Sequence, residues 1–475
     1  VWSRAAAVSG TFTVNATFRG RFHHDLDIVL HGVPGASIAI RRGLMNHDVF
    51  IRSADGETLA VTSIDPTPLA DIGAIAAVLS RAAAIASILI ALFSLMESMS
   101  HALPRPAASQ RWRVAPWAVF LAAAAVAVSI WVARDVLDGL PHQPDSVTYL
   151  LQARWLLAGD LWGSVSRLQT FLDVPYTYVV GERWLGHYPP GWPLLLSIGL
   201  AASAPWLVAP LLGGLFVMLL YLTGHELDGP VTGLLAATLG VLSPMARLIF
   251  GSMLSHAAAA TLIVAALWAF LAARRLKAWP TATLSGIAIG LAFGIRPLSA
   301  AAAAVPIAVV IVQDVVARAD RDSRHRLIAW FLGGVAAALP TFAANQLITG
   351  SAFRFPYSLA DGPMYFAANL PFGIRNLDVL LYSAGNVLHG WGWSTFHGPF
   401  WVALAFALVL EPFLLRRHRA GDVLLAAMVV SLAVALLGSR GHGLHGVGPR
   451  DLFEAFAPHF LLSARGFFEL ARLRS

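Results

Sequence analysis

Residues 140–154 read LPHQPDSVTYLLQAR and residues 187–196 read HYPPGWPLLL. The first stretch is polar and follows an apolar run at 114–134 that is long enough to cross a membrane. The second stretch returns to apolar sequence through a Pro-Pro-Gly turn. An acidic residue, Asp145, therefore lies in a long loop between two membrane-embedded parts of the chain. This pattern predicts a polytopic membrane protein whose polar loop carries chemistry at one surface.

The composition supports this fold class. The chain has 475 residues, of which 57% are hydrophobic and 12% are charged, and its mean hydropathy is +0.68. Soluble domains contain about 25% charged residues. The net charge is +7, but the arginines cluster in short loops between apolar runs, which is typical of membrane proteins rather than of nucleic-acid binding. The absence of cysteine excludes disulfides, thiolate catalysis and cysteine-ligated metals.

Residues 1–70 differ from the rest of the chain. Their short β-prone stretches are separated by glycine and proline, which predicts a small β-rich soluble segment on the extracytoplasmic side. About 70 residues form only a modest core, and we find no catalytic constellation in them. We therefore interpret 1–70 as an appendage to a transmembrane domain at 71–475. The β-prone stretches are 11–18, 27–30, 37–40 and 48–52.

Ten apolar runs are candidate transmembrane helices. They predict an all-α polytopic membrane domain of about 10–12 helices. A last apolar stretch, 452–470, is interrupted by charges, so we expect it to lie at the membrane interface. The ten candidates are 72–96, 114–134, 206–223, 229–246, 253–273, 280–296, 298–316, 327–347, 397–415 and 421–437.

The stretch 191–204 is too short for a full crossing. About 14 residues suit a re-entrant or half-depth helix. Pro189 and Pro190 favour its start, because proline is tolerated in a first helical turn. A broken element at membrane depth normally lines a cavity. We therefore expect a cavity beside the loop that contains Asp145.

Charge orients the helices, because cytoplasmic loops are enriched in Lys and Arg. The loop 135–190 carries six acids against three arginines, so we expect it to face outward. We expect the same of the loop 345–396 and of the segment from 438 onward. Four arginine-rich segments are expected in the cytoplasm, at 97–113, 274–277, 318–326 and 416–419.

Asp145 precedes apolar residues that recur at helical spacing, which predicts a helix lying on the membrane surface. Two compatible interpretations follow. Asp145 is a favourable N-cap for such a helix. It is also a candidate general base that takes a proton from an attacking hydroxyl. Partial desolvation at the mouth of an apolar cavity would raise its pKa toward useful basicity.

Arg296 is a candidate phosphate ligand. Arg296 is predicted to end an outward-running helix, where it either extends its charge to the interface or clamps a phosphate with its guanidinium. Arg450 lies in the outer C-terminal segment. Glu454 follows Arg450 by one helical turn, and a local ion pair worth a few tenths of a kcal/mol is the simple interpretation.

Histidines supply the remaining candidates. His256 begins an apolar helix, and a polar group at membrane depth is either a packing residue or a functional one. His187 and Tyr188 precede the Pro-Pro turn and border the expected cavity. The segment GHGLHG at 441–446 matches G-x-G-x-x-G, but it follows a transmembrane run rather than a strand, so we do not expect a dinucleotide site.

Several of these segments together resemble the GT-C superfamily of membrane glycosyltransferases. The resemblance is to the branch of the protein O-mannosyltransferases and the lipid A aminoarabinose transferase (glycosyltransferase family 39-like). That branch has a loop similar to PDExxYLxQAR followed by KYPPGxPLLL, and the present chain has PDSVTYLLQAR and HYPPGWPLLL. The match runs in order from about 114 to 470, and its later segments are SMLSH at 252–256, RP at 296–297, LITGSAFRFPY at 347–357 and GPRDLFE at 448–454.

The resemblance implies a polyprenyl-phosphate sugar donor, an outward-facing active site and inversion at the anomeric carbon. Asp145 would align with the catalytic aspartate. Ser146 stands where the branch usually has a second acid, which weakens a metal-assisted or two-carboxylate scheme. His187 stands where the branch often has lysine, which would make donor binding sensitive to pH. The expected donor-binding residues are His187, Tyr188, His256, Arg296, Arg450 and Glu454.

The sequence thus predicts an integral membrane glycosyltransferase of the bacterial inner (plasma) membrane, a hexosyl- or pentosyltransferase. Its partners would be a polyprenyl-phosphate-linked sugar, membrane lipid and a glycan, lipid or protein acceptor, with no nucleic acid. We expect no cofactor, although a divalent metal stays open. Two alternatives from other classes also stay open, a transporter or flippase for lipid-linked glycans and a non-catalytic assembly subunit.

Overall fold

The computed structural model describes the chain at 13–19, 23–29, 37–42, 47–52, 58–64, 115–165, 174, 176–357, 409–414, 418–437 and 450–472. The chain forms two compact units, Val1–Ala76 and Ala77–Ser475. Several predicted features lie outside the described residues: the domain boundary at 70, the span 72–96, most of the loop 345–396 and of the span 397–415, and the GHGLHG segment at 441–446.

The described residues of the first unit form antiparallel strands. β1 (Thr13–Arg19) pairs with β2 (His23–Val29). A separate three-stranded sheet has β4 (His47–Arg52) between β3 (Ser37–Arg42) and β5 (Thr58–Ile64). The sequence pattern did not predict β5, because TLAVTSI alternates between apolar and polar residues over only part of its length.

The second unit consists of helices and a small sheet. The sheet lies in the loop after the first helix and has the strand order β6-β8-β7. The helices are α1 (Pro116–Trp131, continued by a π-turn at Val132–Val136), α2 (Pro144–Leu157), α3 (Gly191–Ala201), α4 (Val208–Asp228, preceded by a 3-10 turn at Pro205–Leu207), α5 (Pro230–Leu242), α6 (Pro244–Gly251), α7 (His256–Leu276), α8 (Trp279–Phe293), α9 (Pro297–Arg318), α10 (Arg321–Thr349), α11 (Ala420–Leu437) and α12 (Phe456–Arg472, preceded by a 3-10 turn at Arg450–Ala455); the strands are β6 (Gly163–Ser164), β7 (Thr177–Val180) and β8 (Arg183–Gly186).

Five of the described helices are long and apolar enough to cross a membrane, namely α1, α4, α7, α9 and α10 with their flanking turns. This confirms an all-α polytopic membrane protein. The candidate span 229–246 is in fact broken. α5 and α6 meet at an angle of 66°, because Pro244 cannot donate the backbone hydrogen bond that would continue α5. α3 has 11 residues, so it is a short helix, as predicted.

Ion pairs mark one end of the helices. Nε of Arg275, near the end of α7, lies 2.8 Å from Glu226 Oε2, and Nε of Arg274 lies 2.7 Å from Asp314 Oδ2. These arginines belong to one of the segments predicted to be cytoplasmic. α7 has 21 residues, so its first residue, His256, lies ~30 Å away along the helix axis. We call these the arginine end and the His256 end of the bundle.

α12 corrects the expectation that 452–470 lies at the membrane interface. Its residues from 456 to 466 are buried. The charges that suggested an interfacial position are paired inside the bundle: Arg465 Nε lies 3.1 Å from Asp422 Oδ1, and Arg465 also bonds Asp228 and Glu469. Buried charges are tolerated when they are paired. α12 therefore runs through the bundle from the His256 end toward the opposite end.

α8 and α10 approach each other through glycines. A methyl group added at Gly286 would lie 1.9 Å from the Trp330 carbonyl oxygen, and one at Gly290 would lie 2.3 Å from the Gly334 carbonyl oxygen. Small residues allow this approach between membrane helices, where packing rather than hydrophobic burial drives association. α10 thus contacts α8 backbone to backbone.

Candidate active site

Asp145 is the second residue of α2 and does not cap that helix. Gln143 occupies the N-cap position and Pro144 begins the helix. The Asp145 carboxylate instead accepts a hydrogen bond from the Tyr188 hydroxyl at Oδ1 (2.5 Å) and from Arg450 Nη1 at Oδ2 (3.3 Å). The N-cap interpretation is therefore wrong. Asp145 connects the loop at 135–190 to the distant C-terminal segment.

The pKa of Asp145 also differs from the prediction. Burial alone would raise this pKa, but the Arg450 guanidinium and the Tyr188 hydroxyl hold it below its ordinary value. The predicted rise is therefore wrong. The carboxylate is ionised at neutral pH, so it can accept a proton without first losing one.

The half-buried Tyr188 contacts Asp145, and the buried Tyr149 packs against Tyr188. The ring centroids of Tyr188 and Tyr149 are 4.4 Å apart, and the Tyr149 hydroxyl lies 3.0 Å from Ser255 Oγ. Burial is the main cause that raises the pKa of both tyrosine hydroxyls. Both therefore stay protonated at neutral pH, which lets Tyr188 donate its hydrogen bond to Asp145.

Arg296 lies between α8 and α9 and contacts two carboxylates. Its Nε lies 2.9 Å from Glu454 Oε1, and its Nη2 donates to Asp451 Oδ1 at 3.3 Å. Arg450 uses Nη1 for Asp145, and its Nε lies 3.9 Å from the same Asp451 oxygen. The predicted ion pair between Arg450 and Glu454 is therefore wrong, because the two side chains have different partners. The guanidinium of Arg296 is thus held by two carboxylates of the protein.

His256 is buried between the acids of the C-terminal segment. Its Nδ1 lies 3.2 Å from Glu454 Oε1, and its Nε2 lies 3.3 Å from Arg296 Nη1 and 3.5 Å from Asp451 Oδ1. Arginine has no acceptor, so Nε2 accepts from Arg296 while Nδ1 donates to Glu454. A single imidazole proton on Nδ1 satisfies both hydrogen bonds. His256 thus connects the Arg296 loop to the segment that begins at Arg450.

Glu454 lies at the inner side of this arrangement and is 1% exposed. Burial raises the pKa of its carboxyl to about 7, although the Arg296 guanidinium acts in the opposite direction. The charge of Glu454 therefore changes close to neutral pH. This change takes place next to the arginine that was predicted to bind phosphate.

His187 lies beside Tyr188 among aromatic rings. Its ring centroid is 5.1 Å from that of Tyr188, 5.6 Å from that of Tyr176 and 5.5 Å from that of Tyr357. His187 is thus part of an aromatic wall next to Asp145. It stands at the position where the branch that the sequence resembles often has lysine.

The Pro-Pro-Gly turn is joined to the Arg296 loop by the main chain. The Gly191 N–H donates to the Gly294 carbonyl oxygen at 3.0 Å, and a methyl group added at Gly191 would lie 2.5 Å from that oxygen. Only glycine permits so close a backbone approach. This contact brings Tyr188, which precedes the turn, toward Arg296.

Six of the predicted residues therefore form one connected set, and His187 borders it. Sequence reasoning missed Asp451, which bridges the two arginines. Its signal was its place in GPRDLFE, directly after a candidate phosphate ligand. We refer to the connected residues as the site cluster: Asp145, Tyr188, His256, Arg296, Arg450, Asp451 and Glu454.

The site cluster lies at the His256 end of the bundle. Within the part of the chain that the structure describes, no group of three or more His, Asp or Glu residues is arranged to hold a metal ion. The carboxylates of the cluster contact arginine, tyrosine and histidine instead. The arrangement offers an ionised carboxylate for proton transfer and two guanidiniums for an anionic group.

No protein-family model and no curated protein matches the sequence. Among solved structures, ArnT from Cupriavidus metallidurans bound to undecaprenyl phosphate is similar at a TM-score of 0.50 and 14% identity, over 74% of this chain and 60% of ArnT. The apo oligosaccharyltransferase of Archaeoglobus fulgidus is similar at a TM-score of 0.42 and 17% identity, over 75% of this chain and 51% of that protein. The chain thus spans between half and two thirds of the length of these proteins. The likeness to ArnT is one of fold, and it agrees with the fold that the motifs predicted: this integral membrane chain has a fold similar to that of ArnT.

Proposed function

We propose that this chain is an inverting glycosyltransferase. It moves a sugar from a polyprenyl-phosphate donor to a hydroxyl of a glycan, lipid or protein acceptor. The observation that carries the proposal is the Asp145 carboxylate, ionised and hydrogen-bonded to Arg450, with Arg296 in the same cluster. A general base and an anion-binding pair are the two functions that such a transfer needs.

The proposed reaction is a single displacement. The acceptor oxygen forms a bond to the anomeric carbon while the bond from that carbon to the phosphate oxygen breaks. Asp145 accepts the proton of the acceptor hydroxyl, and the lipid leaves as polyprenyl phosphate. Because phosphate leaves as a stable anion, no general acid is needed, and Arg296 and Arg450 stabilise the charge that develops on it.

The topology supports an outward-facing site. The Arg274–Arg275 turn lies at the end of α7 opposite His256, and cytoplasmic loops are enriched in arginine. We therefore place the site cluster on the extracytoplasmic face of a bacterial plasma membrane. The donor's isoprenoid chain would lie between helices in the bilayer. The ArnT structure, which is bound to undecaprenyl phosphate, supports a carrier of this chemical class.

The experiment is transfer of labelled polyprenyl-phosphate sugars, both hexoses and pentoses, by the purified protein. We expect Asp145→Asn to lower turnover by about 10²–10⁴-fold, the usual contribution of a general base. Asp160→Asn, a change of the same kind at an exposed residue of the outer loop, should leave turnover unchanged. Equal turnover in wild type and Asp145→Asn would remove Asp145 as the base.

The same assay addresses the alternatives and the cofactor. We propose turnover without an obligatory cofactor, so activity should survive a chelator. Donor binding without turnover by the wild-type protein, across a panel of acceptors, would favour a non-catalytic subunit. Movement of an intact lipid-linked glycan across a vesicle membrane would favour a flippase.

A further inference from the structure

We propose that Asp451 is an internal counter-anion of the donor site, occupying the place that the donor phosphate takes when it binds. This inference rests on the function proposed above. Asp451 is then neither the base nor a permanent ligand of the sugar. It is the group that the phosphate displaces, and it sets the affinity of the site for phosphate-bearing lipid.

The position of one oxygen carries the proposal. Asp451 Oδ1 lies 3.3 Å from Arg296 Nη2, 3.5 Å from His256 Nε2 and 3.9 Å from Arg450 Nε. The oxygen is the point at which both arginines of the cluster converge. Guanidiniums arranged around one oxyanion are the usual arrangement for binding phosphate. A carboxylate therefore occupies the position that suits an oxygen of a bound phosphate.

The second acid on Arg296 has a different character. Glu454 lies 2.9 Å from Arg296 Nε, is 1% exposed and also bonds His256. Asp451 makes the longer contact, at 3.3 Å, and its side chain is 13% exposed. Glu454 thus holds the guanidinium in place from the inner side. Asp451 is the more accessible of the two carboxylates and can leave without releasing Arg296.

The charges of the cluster also indicate that Asp451 is the acid that a phosphate displaces. Asp145 engages Arg450 and is needed for proton transfer, and Glu454 is enclosed. A phosphate that arrived beside Arg296 and Arg450 with Asp451 in place would meet a like charge within contact distance, which opposes binding. Movement of Asp451 away from the arginines removes this repulsion. Asp451 thus pairs with the arginines before the phosphate binds, and binding exchanges one anion for another.

The test is direct binding of undecaprenyl monophosphate to the purified protein. Asp451→Asn keeps the shape of the side chain and removes the competing charge, so we expect binding about tenfold tighter, because a larger fraction of the protein is then competent to bind. Asp451→Ala should shift affinity in the same direction. Arg296→Gln should weaken binding, and Asp160→Asn should leave it unchanged. Thermal unfolding of each variant verifies folding.

Each outcome has one meaning. If Asp451 served only to position the arginines, Asp451→Asn and Asp451→Ala would bind lipid phosphate more weakly. Weaker binding or unchanged affinity in these variants would overturn the proposal. An absence of binding in all variants would overturn it too. Sugar transfer by the wild type is the separate readout of the proposed function. Turnover without tighter binding in the Asp451 variants defeats this inference alone, whereas tighter binding without turnover defeats the transferase proposal alone.

Discussion

The Tyr188 hydroxyl lies 2.5 Å from Asp145 Oδ1 and donates a hydrogen bond to it. Tyr188 precedes the Pro-Pro-Gly turn, and Asp145 is the second residue of α2. This bond therefore joins the two ends of the loop at 135–190. It also fixes one oxygen of the proposed base. The second oxygen faces Arg450, so the orientation of the carboxylate is determined on both sides.

Removal of that bond should reduce catalysis without removing the base. We expect Tyr188→Phe to lower kcat roughly 10–100-fold, because a hydrogen bond to a charged group contributes about 1.5–3 kcal/mol. Steady-state kinetics with a saturating donor measure this effect. Tyr178→Phe is a matched control, since the Tyr178 hydroxyl bonds the Pro356 carbonyl and not Asp145. Equal kcat in Tyr188→Phe and wild type would contradict the role of Tyr188.

Arg450→Gln should shift the acid limb of the pH profile. Arg450 lowers the pKa of Asp145 below its ordinary value of 3.8, so loss of the guanidinium raises that pKa. Asp145 is then protonated up to a higher pH, so the acid limb of the kcat/KM profile shifts to higher pH. Arg450→Lys keeps the charge and should move the limb less. If wild type, Arg450→Gln and Arg450→Lys had the same acid limb of kcat/KM, Asp145 would not be the group that controls it.

Glu454 should make stability depend on pH. Its ordinary pKa is 4.5, and burial raises its pKa to about 7 in the folded protein. The folded state therefore holds the proton more tightly than the unfolded state, so this carboxyl makes stability fall as pH rises from about 4.5 to about 7. Glu454→Gln should remove this part of the dependence. Tm measured across that range tests it, with Glu182→Gln at an exposed position as the control; an unchanged slope in Glu454→Gln would contradict the shift.

Two adjacent glycines of α10 should respond in opposite ways to the same substitution. A methyl group at Gly333 would lie 2.6 Å from the Thr283 carbonyl oxygen, whereas the nearest atom to one at Gly334 is 3.4 Å away. We expect Gly333→Ala to destabilise the protein by about 1–3 kcal/mol, because backbone atoms must move. Gly334→Ala should be neutral or stabilise by up to about 1 kcal/mol, through helix propensity. Thermal unfolding in detergent measures both; equal Tm values for the two variants would contradict the packing.

The sequence was sufficient for the membrane fold and for naming six residues that the structure brings into the site cluster, because both leave local signals. Apolar runs and arginine-rich turns predicted the helices, and the motifs named Asp145, Arg296 and Arg450. The break at Pro244 was less visible, since α5 and α6 together read as one apolar run. The path of α12 was misread, because an isolated sequence window cannot show that Arg465 has acidic partners on other helices.

The properties of Asp145 could not be predicted, because they depend on residues far away in the sequence. The N-cap interpretation assumed that the helix begins after the acid, whereas the helix begins at Pro144, one residue before the acid. The expected rise in pKa counted desolvation and omitted Arg450, which lies 305 positions away. Asp451 was overlooked for a similar reason, since its place between two arginines exists only in the folded chain.

The contact between α8 and α10 separates two kinds of sequence constraint. Main-chain atoms of α10 lie against glycines of α8, while only 22% of the most apolar 18-residue window of α10 is buried in the protein. The attachment of α10 to α8 therefore depends on the glycines that let the two backbones meet. It depends very little on which apolar side chains cover the exposed part of α10. The exposed surface of α10 is free to exchange leucine, phenylalanine and valine as the surrounding membrane requires, provided that Gly286 and Gly290 of α8 and Gly333 of α10 do not change.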